Sequence, residues 1–208
     1  MIEIREIDSS EKSAIAEVVR IHLDTFKGFF LTFMGRGFLR QMYASYCNHK
    51  ESSLLVAFED GKPVGFLASS ATMSGLYKFM IKTRLIPFAW YSLGAFFRKP
   101  KVFMRLVRAF LKPGEASREE AYVELASIGV DPSMKSKGIG SLLIDELKSR
   151  TDLEKYAYIT LETDAVNNDG ANAFYKKNGF LLVREYETRE GRKMNEYRYG
   201  EKNESTVS

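Results

Sequence analysis

The chain has 208 residues, of which 45% are hydrophobic and 13% aromatic, and its formal net charge is +4. A chain of that size and apolar content buries roughly 70% of its unfolded surface in a packed body, which excludes an intrinsically disordered protein. One cysteine, Cys47, excludes an internal disulfide, and with only His22 and His49 beside it no conventional structural zinc site can form, so no metal is expected.

Taken in chain order, Ile2 to Ile7 approximates the period-two pattern of a half-buried strand. Asp8-Ser9-Ser10 offers a cap for a helix running to Asp24, with Ile15, Val18, Val19 and His22 at helical spacing. An aromatic stretch from Phe26 to Leu31 leads into a second helix over Gly35 to Cys47. Ser53 to Glu59 and Pro63 to Ser69 read as strands, and Asp60-Gly61 between them is a hairpin signal. The segment Thr72 to Pro113 then carries nine basic residues (Lys78, Lys82, Arg84, Arg98, Lys99, Lys101, Arg105, Arg108 and Lys112) and no acidic one, so the rest of the chain is net negative. It is expected to be helical, broken at Pro87 and Pro100 and ended by Pro113-Gly114. Regular alternation follows: strand Ala121–Val130, helix Gly138–Arg150, strand Ala157–Glu162, helix Gly170–Asn178, and strands Phe180–Thr188 and Lys193–Tyr199 joined at Glu190-Gly191. Glu201 to Ser208 reads as a frayed tail.

The start of the chain has no basic head followed by an apolar run, so no leader is expected. The longest apolar run, Leu85 to Phe97, is about 13 residues, short of the roughly 20 that span a bilayer. A soluble, cytoplasmic protein is the expectation.

Two stretches carry the chemistry. In the first, a strand ends at Ile128-Gly129-Val130-Asp131-Pro132, and a loop with Lys135, Ser136, Lys137 and Gly138 opens a helix at Ile139-Gly140-Ser141. A helix N-terminus presents unpaired N–H groups and a positive dipole end, and the two glycines clear room for a phosphate beside two lysines. The Walker spacing is absent, and the dinucleotide pattern fails because position 143 is Leu143. On its own a glycine pair before a helix is equally consistent with ordinary capping.

The second stretch, Asn168-x-x-Ala171-x-x-Phe174-Tyr175-x-x-x-Gly179-Phe180, lies about 30 residues further on. Together with Lys135-x-x-Gly138-x-Gly140 it resembles the paired signatures of the GNAT family of N-acetyltransferases. Lys135 stands where Gln or Arg is usual, and the long segment between the third and fourth strands exceeds the minimal family fold. The resemblance implies an α/β fold with a central mixed sheet splayed between its fourth and fifth strands and flanked by helices, here with a helical insertion between the third and fourth. It implies one domain over 1–200, with the insertion at 72–113 and the tail at 201–208.

It also implies that acetyl-CoA is the co-substrate, with no metal. The pantetheine arm would pair with the backbone of Ile128 to Val130, Lys135 to Ser141 would hold the pyrophosphate, and Asn168, Asn172 and Tyr175 would line the cofactor. Tyr175 sits where the family places the acid that protonates the leaving thiolate, although a core aromatic is the alternative. Glu124 sits where some members carry the base that deprotonates the amine, with bound waters the alternative and Glu162 a weaker candidate. Phe29, Phe30 and Leu31 would frame the acceptor, although core packing explains them as well.

The implied reaction is direct transfer to a primary amine of a small molecule, with an amino sugar or its nucleotide conjugate the specific expectation. A non-catalytic acyl-CoA-binding module is the rival. For the basic insertion three readings stand: a solvated helical cover or homodimer surface, an anion-attracting rim over a phosphorylated acceptor, and peripheral contact with an anionic membrane. Nucleic-acid binding is not expected, since no reading motif accompanies the charge.

Overall fold

The period-two segments become the strands β1 (Ile2–Glu6), β2 (Ser52–Glu59), β3 (Lys62–Ser70), β4 (Val123–Val130), β5 (Ile159–Asp164), β6 (Leu181–Glu187) and β7 (Lys193–Tyr199). The helices are α1 (Lys12–Thr25), α2 (Phe30–Met34), α3 (Arg36–Asn48), α4 (Met73–Arg98), α5 (Ile139–Arg150) and α6 (Asp169–Lys177). This computed structural model describes residues 1–27, 30–98, 100, 120–188 and 191–200. The predicted tail, the stop at Pro113-Gly114, Glu190 of the last turn and the surroundings of Pro100 lie outside the described residues.

One seven-stranded sheet forms in the order β1-β2-β3-β4-β5-β7-β6, antiparallel throughout except between β4 and β5. It is the mixed, helix-flanked sheet that the sequence resemblance implies. Alternation sorts β2 between two cores: Leu54, Val56 and Phe58 face α1 and α3, while Leu55 and Ala57 face α5. The first core joins Phe66 and Ala68 of β3 to Val18 of α1 and Leu39 and Tyr43 of α3. The second joins Val123 and Leu125 of β4 to Ile139, Leu143, Ile144 and Leu147 of α5. Each fully buried Leu, Ile or Phe contributes about 1.5–3 kcal/mol, so both faces of the sheet are firmly covered.

Three local expectations are revised. The N-cap of α1 is Glu11, because the Asp8 carboxylate instead closes its own turn by accepting from Ser10 N at 2.6 Å. Glu11 in turn accepts from both terminal nitrogens of Arg5, at 2.9 and 2.6 Å. The aromatic stretch before Gly35 contains the short helix α2. Finally, α4 runs through Pro87 instead of stopping there. Its kink lies three residues earlier at Arg84 (φ −135°, ψ 19°), on the turn where proline removes a hydrogen bond and crowds the preceding carbonyl. Arg84 donates to Gln41 of α3 at 2.7 Å, tying the bent helix down.

His22 of α1 lies in the first core, between Phe26 and Phe66, with Nδ1 2.7 Å from the Tyr43 hydroxyl. Burial holds its pKa down at about 4. The unfolded chain therefore takes up a proton near pH 6.5 that the folded chain refuses until about pH 4, so stability falls as pH drops through that window. Urea unfolding should lose up to about 3 kcal/mol between pH 6.5 and 4, and His22→Phe should flatten that slope. An unchanged slope in the variant would assign the acid sensitivity elsewhere.

Candidate functional site

The site begins where β4 loses a neighbour. On one side β4 pairs with β3 from Glu124 to Val130. On the other it meets β5 only at Val123 and Glu124. A bulge leaves Ala126 without a partner between Leu125 and Ser127. Asp131 N donates to Val64 O at 2.8 Å, which fixes the antiparallel alternation. Gly129 and Ser127 bond toward β3, and Ile128 and Val130 turn away from it, with the Val130 carbonyl taken by Thr25 Oγ1. An extended, polar ligand can pair with such an edge as an added strand.

At the end of that edge Asp131 builds a loop. Its carboxylate accepts from Ser133 N at 2.9 Å, from Ser133 Oγ at 2.6 Å and from Arg20 of α1 at 2.6 Å. The Ser133 hydroxyl first and the Arg20 guanidinium second hold its pKa down at about 2. A 3-10 turn over Pro132–Met134 follows, and Ser136 takes a left-handed conformation (φ 66°). Gly138 (φ 77°, ψ 2°) is the N-cap of α5 and supplies no side-chain hydrogen bond to it.

The first N–H satisfied in α5 is that of Leu142, which donates to Gly138 O at 3.1 Å. Among the described residues nothing accepts from the N–H groups of Ile139, Gly140 and Ser141. The loop Lys135–Gly138 is exposed, with Lys135 free of ion pairs among the described residues. Lys137 lies 3.6 Å from Glu59. Three convergent amides at a dipole end beside two ammonium groups can hold a diphosphate.

Gly140 has a second reason to lack a side chain: a Cβ there would meet the Phe174 ring of α6 at 3.0 Å. That close approach seats α6 against α5 and places Tyr175 next to the loop's own helix. The Tyr175 ring packs on Phe174, Tyr197 and Phe180, with centroids 5.4, 6.0 and 6.1 Å away. Its hydroxyl makes no hydrogen bond among the described residues, and burial pushes its pKa up to about 12. At neutral pH it is therefore a proton-bearing donor.

The two asparagines of the second stretch fasten this helix. Asn168, at the α6 N-cap position, turns its amide to Thr163 Oγ1 at 2.7 Å and Asp164 O at 3.3 Å. Asn172 is buried and donates to Asp164 O at 3.0 Å and Asn168 O at 2.8 Å. Its oxygen accepts from Asn195 at 2.8 Å and Tyr197 at 2.9 Å. Both donors and both lone pairs of Asn172 are thus used inside the protein, joining α6 to β5 and β7.

On the opposite face of the sheet Glu124 points toward α3 and α4, since its neighbours Val123 and Leu125 belong to the α5 core. Burial, and then the Glu124 charge, push the Tyr77 phenol of α4 up to about 12. Tyr46 of α3 is raised well above its ordinary value by burial, with Tyr77 and then Glu124 adding to it. The bulge at Ala126 brings Ser127 onto this face as well, where it hydrogen-bonds Tyr43. Leu31 of α2 packs half-buried on the same core, and Phe29 and the side chain of Phe30 lie outside the described residues.

Thr25 donates to Val130 O at 3.2 Å and Thr32 to Phe26 O at 2.7 Å, which holds the α1–α2 connection beside the β4 edge. Glu162, two residues beyond the Thr160 that pairs with Glu124, accepts from Tyr186 at 2.6 Å. Cys47 is half-buried, with burial pushing its thiol up to about 12. Among the described residues no group of His, Cys, Asp and Glu is arranged to hold a metal. The Ser127–Tyr43–His22 string and the Tyr46–Tyr77 pair gave no sequence signal, because spatial proximity alone defines them.

Residues 16–180 match the family model for the acetyltransferase (GNAT) family, and the chain belongs to that family. It is an acyltransferase that uses acetyl-CoA as co-substrate. No curated protein matches it in sequence. Among solved structures it is similar to a ribosomal-protein-alanine N-acetyltransferase from Brucella melitensis (16% identity, 95% of this chain and 98% of that one, TM-score 0.60). It is also similar to Arabidopsis thaliana NAA60 in complex with acetyl-CoA (17%, 96% and 99%, 0.58). A third likeness is to Drosophila melanogaster polyamine N-acetyltransferase, which catalyses formation of N-acetylagmatine (12%, 96% and 99%, 0.58). At these identities the likeness is one of fold.

Replacing Gly138 by Val should force a β-branched residue into left-handed space. The expected cost is about 1–2 kcal/mol of stability, with a roughly tenfold weaker CoA affinity by calorimetry. Unaltered affinity would remove the α5 entry turn from the binding site.

Proposed function

We propose that this chain is an N-acetyltransferase that moves the acetyl group of acetyl-CoA directly to a primary amine of a small molecule. One observation carries the reading: the unaccepted amides of Ile139–Ser141 continue the open edge of Ile128 and Val130, with the unpartnered Tyr175 hydroxyl on the helix packed against them. When bound, acetyl-CoA supplies the activated thioester. In this reading the β4 edge aligns the pantetheine arm, the Ile128 N–H polarises the thioester carbonyl, and Lys135, Lys137 and the α5 amides neutralise the diphosphate. Asn168 and Asn172 hold α6 so that Tyr175 stays in place. Tyr175 donates its proton, or a hydrogen bond, to the departing sulfur.

The acceptor enters from the face of Glu124, Tyr46 and Tyr77. A carboxylate among phenols attracts a cationic amine and can take the proton that the amine must lose before attack. An amino sugar, free or nucleotide-linked, is the acceptor we would test first.

Thermal-shift titration with CoA followed by thiol-release assays over an amine panel tests the reading. CoA binding with no turnover on any amine would favour the non-catalytic acyl-CoA module instead. Tyr175→Phe should lower kcat about 10²-fold while CoA affinity stays within about twofold. Glu124→Gln should lower kcat/KM by about 10²-fold and abolish the acidic limb of its pH profile, and a retained limb would give the base role to solvent.

A further inference from the structure

The outward face of α4 is unlike any other helix surface in the described protein. Lys78, Ile81 and Lys82 before the kink at Arg84, and Leu85, Ile86, Ala89 and Trp90 after it, are exposed at spacings of three and four, so each half of the helix presents a stripe to solvent. Ile81 is 40% exposed, Leu85 58%, Ile86 82% and Trp90 71%. Its inward positions Leu76, Met80 and Phe88 pack in the core, and Arg84 is bonded to Gln41, so the stripe is not a mispacked inner face. Lysines occupy the start of the stripe. Beyond it the chain adds Arg98, Lys99, Lys101, Arg105, Arg108 and Lys112, without an acidic residue before Pro113. No described helix is long and apolar enough to cross a membrane.

We propose that this face seats the enzyme on an anionic lipid surface, with α4 lying in the plane of the interface. Leu85, Ile86 and Trp90 enter the boundary between headgroups and acyl chains, and Lys78 and Lys82 remain at the level of the phosphates. The reasons are chemical. An aliphatic–indole surface with lysines at its start, whose long stems let the ammonium groups reach headgroup depth, suits the graded polarity of an interface, where an indole settles at headgroup depth. A second copy would bring two strongly basic segments together, whereas an acidic surface neutralises them. The inference goes beyond the proposed reaction and does not depend on it.

Trp90 is the only tryptophan in the chain, so its fluorescence reports the encounter directly. The full-length protein is mixed with vesicles of phosphatidylcholine, alone or containing about 30% phosphatidylglycerol. With the anionic vesicles the emission should move to shorter wavelength and the protein should pellet with the lipid, and with phosphatidylcholine alone neither should occur. Raising salt from about 0.1 to about 1 M, which shortens the screening length from about 10 to about 3 Å, should weaken binding roughly tenfold or more. L85E/I86E, which keeps the reporter, and K78E/K82E should each weaken it at least about tenfold. A wild-type thermal shift with CoA in both variants would show that they are folded.

No shift and no pelleting with anionic vesicles would overturn the proposal, and so would equal binding to phosphatidylcholine. A Trp90 already blue-shifted without lipid would overturn it too. It would give the stripe to a second copy if the molecular mass doubled, and to the chain's own residues if it did not.

Discussion

A strand that keeps a neighbouring strand for only two residues leaves the remaining backbone donors and acceptors of that edge without a ladder, and polar backbone with no partner is costly unless something binds it. That constraint on β4 organises the whole molecule. β3 holds one edge of the strand along its length, so the backbone stays extended and rigid, while β5 parts from the other edge after Glu124. Ile128 and Val130 consequently address an opening instead of a strand. At the end of the same edge Asp131, clamped by Ser133 and Arg20, turns the chain so that α5 starts with its own unaccepted amides beside it.

Keeping that opening apart needs a support on its far side, and α6 provides it through polar bonds and close packing together. Asn172 joins α6 to β5 and β7 through three hydrogen bonds, one to Asp164 and two from Asn195 and Tyr197. Phe174 then lies against the bare face of Gly140. Buried, fully satisfied amides of this kind impose geometry that apolar packing alone would leave looser. Tyr175 inherits a fixed position from both contacts, and its hydroxyl is left over for whatever occupies the cleft.

The two faces of the sheet differ in chemistry. On the α5–α6 face the surroundings are amides and ammonium groups suited to phosphate. The α3–α4 face sets a carboxylate among tyrosines, with the bulge at Ala126 bringing Ser127 onto it alongside Glu124. The segment between β3 and β4 contributes to both the Glu124 face and the outer surface. Tyr77 on its inner side feels Glu124, and its outer side carries the apolar stripe.

Much of this was legible in the residues, because local rules govern it. Alternation in β2, β3 and β4 and the hairpin at Asp60-Gly61 follow from strand geometry and turn chemistry. The entry to α5 at Gly138 follows from the left-handed conformation that glycine adopts freely. The GNAT signatures at Lys135–Gly140 and Asn168–Phe180 pointed to the family because their spacing reflects one supersecondary unit. What the tertiary structure alone decided involves residues far apart in the chain. Gly140 is bare for the sake of Phe174 as well as for a ligand, Asn172 spends its amide on β5 and β7, and Ser127 changes face because of one unpaired residue. The kink in α4 falls at Arg84, and the stripe beside it stays open to solvent. No periodicity encodes these outcomes, since each depends on which atoms meet once the sheet has closed on its two cores.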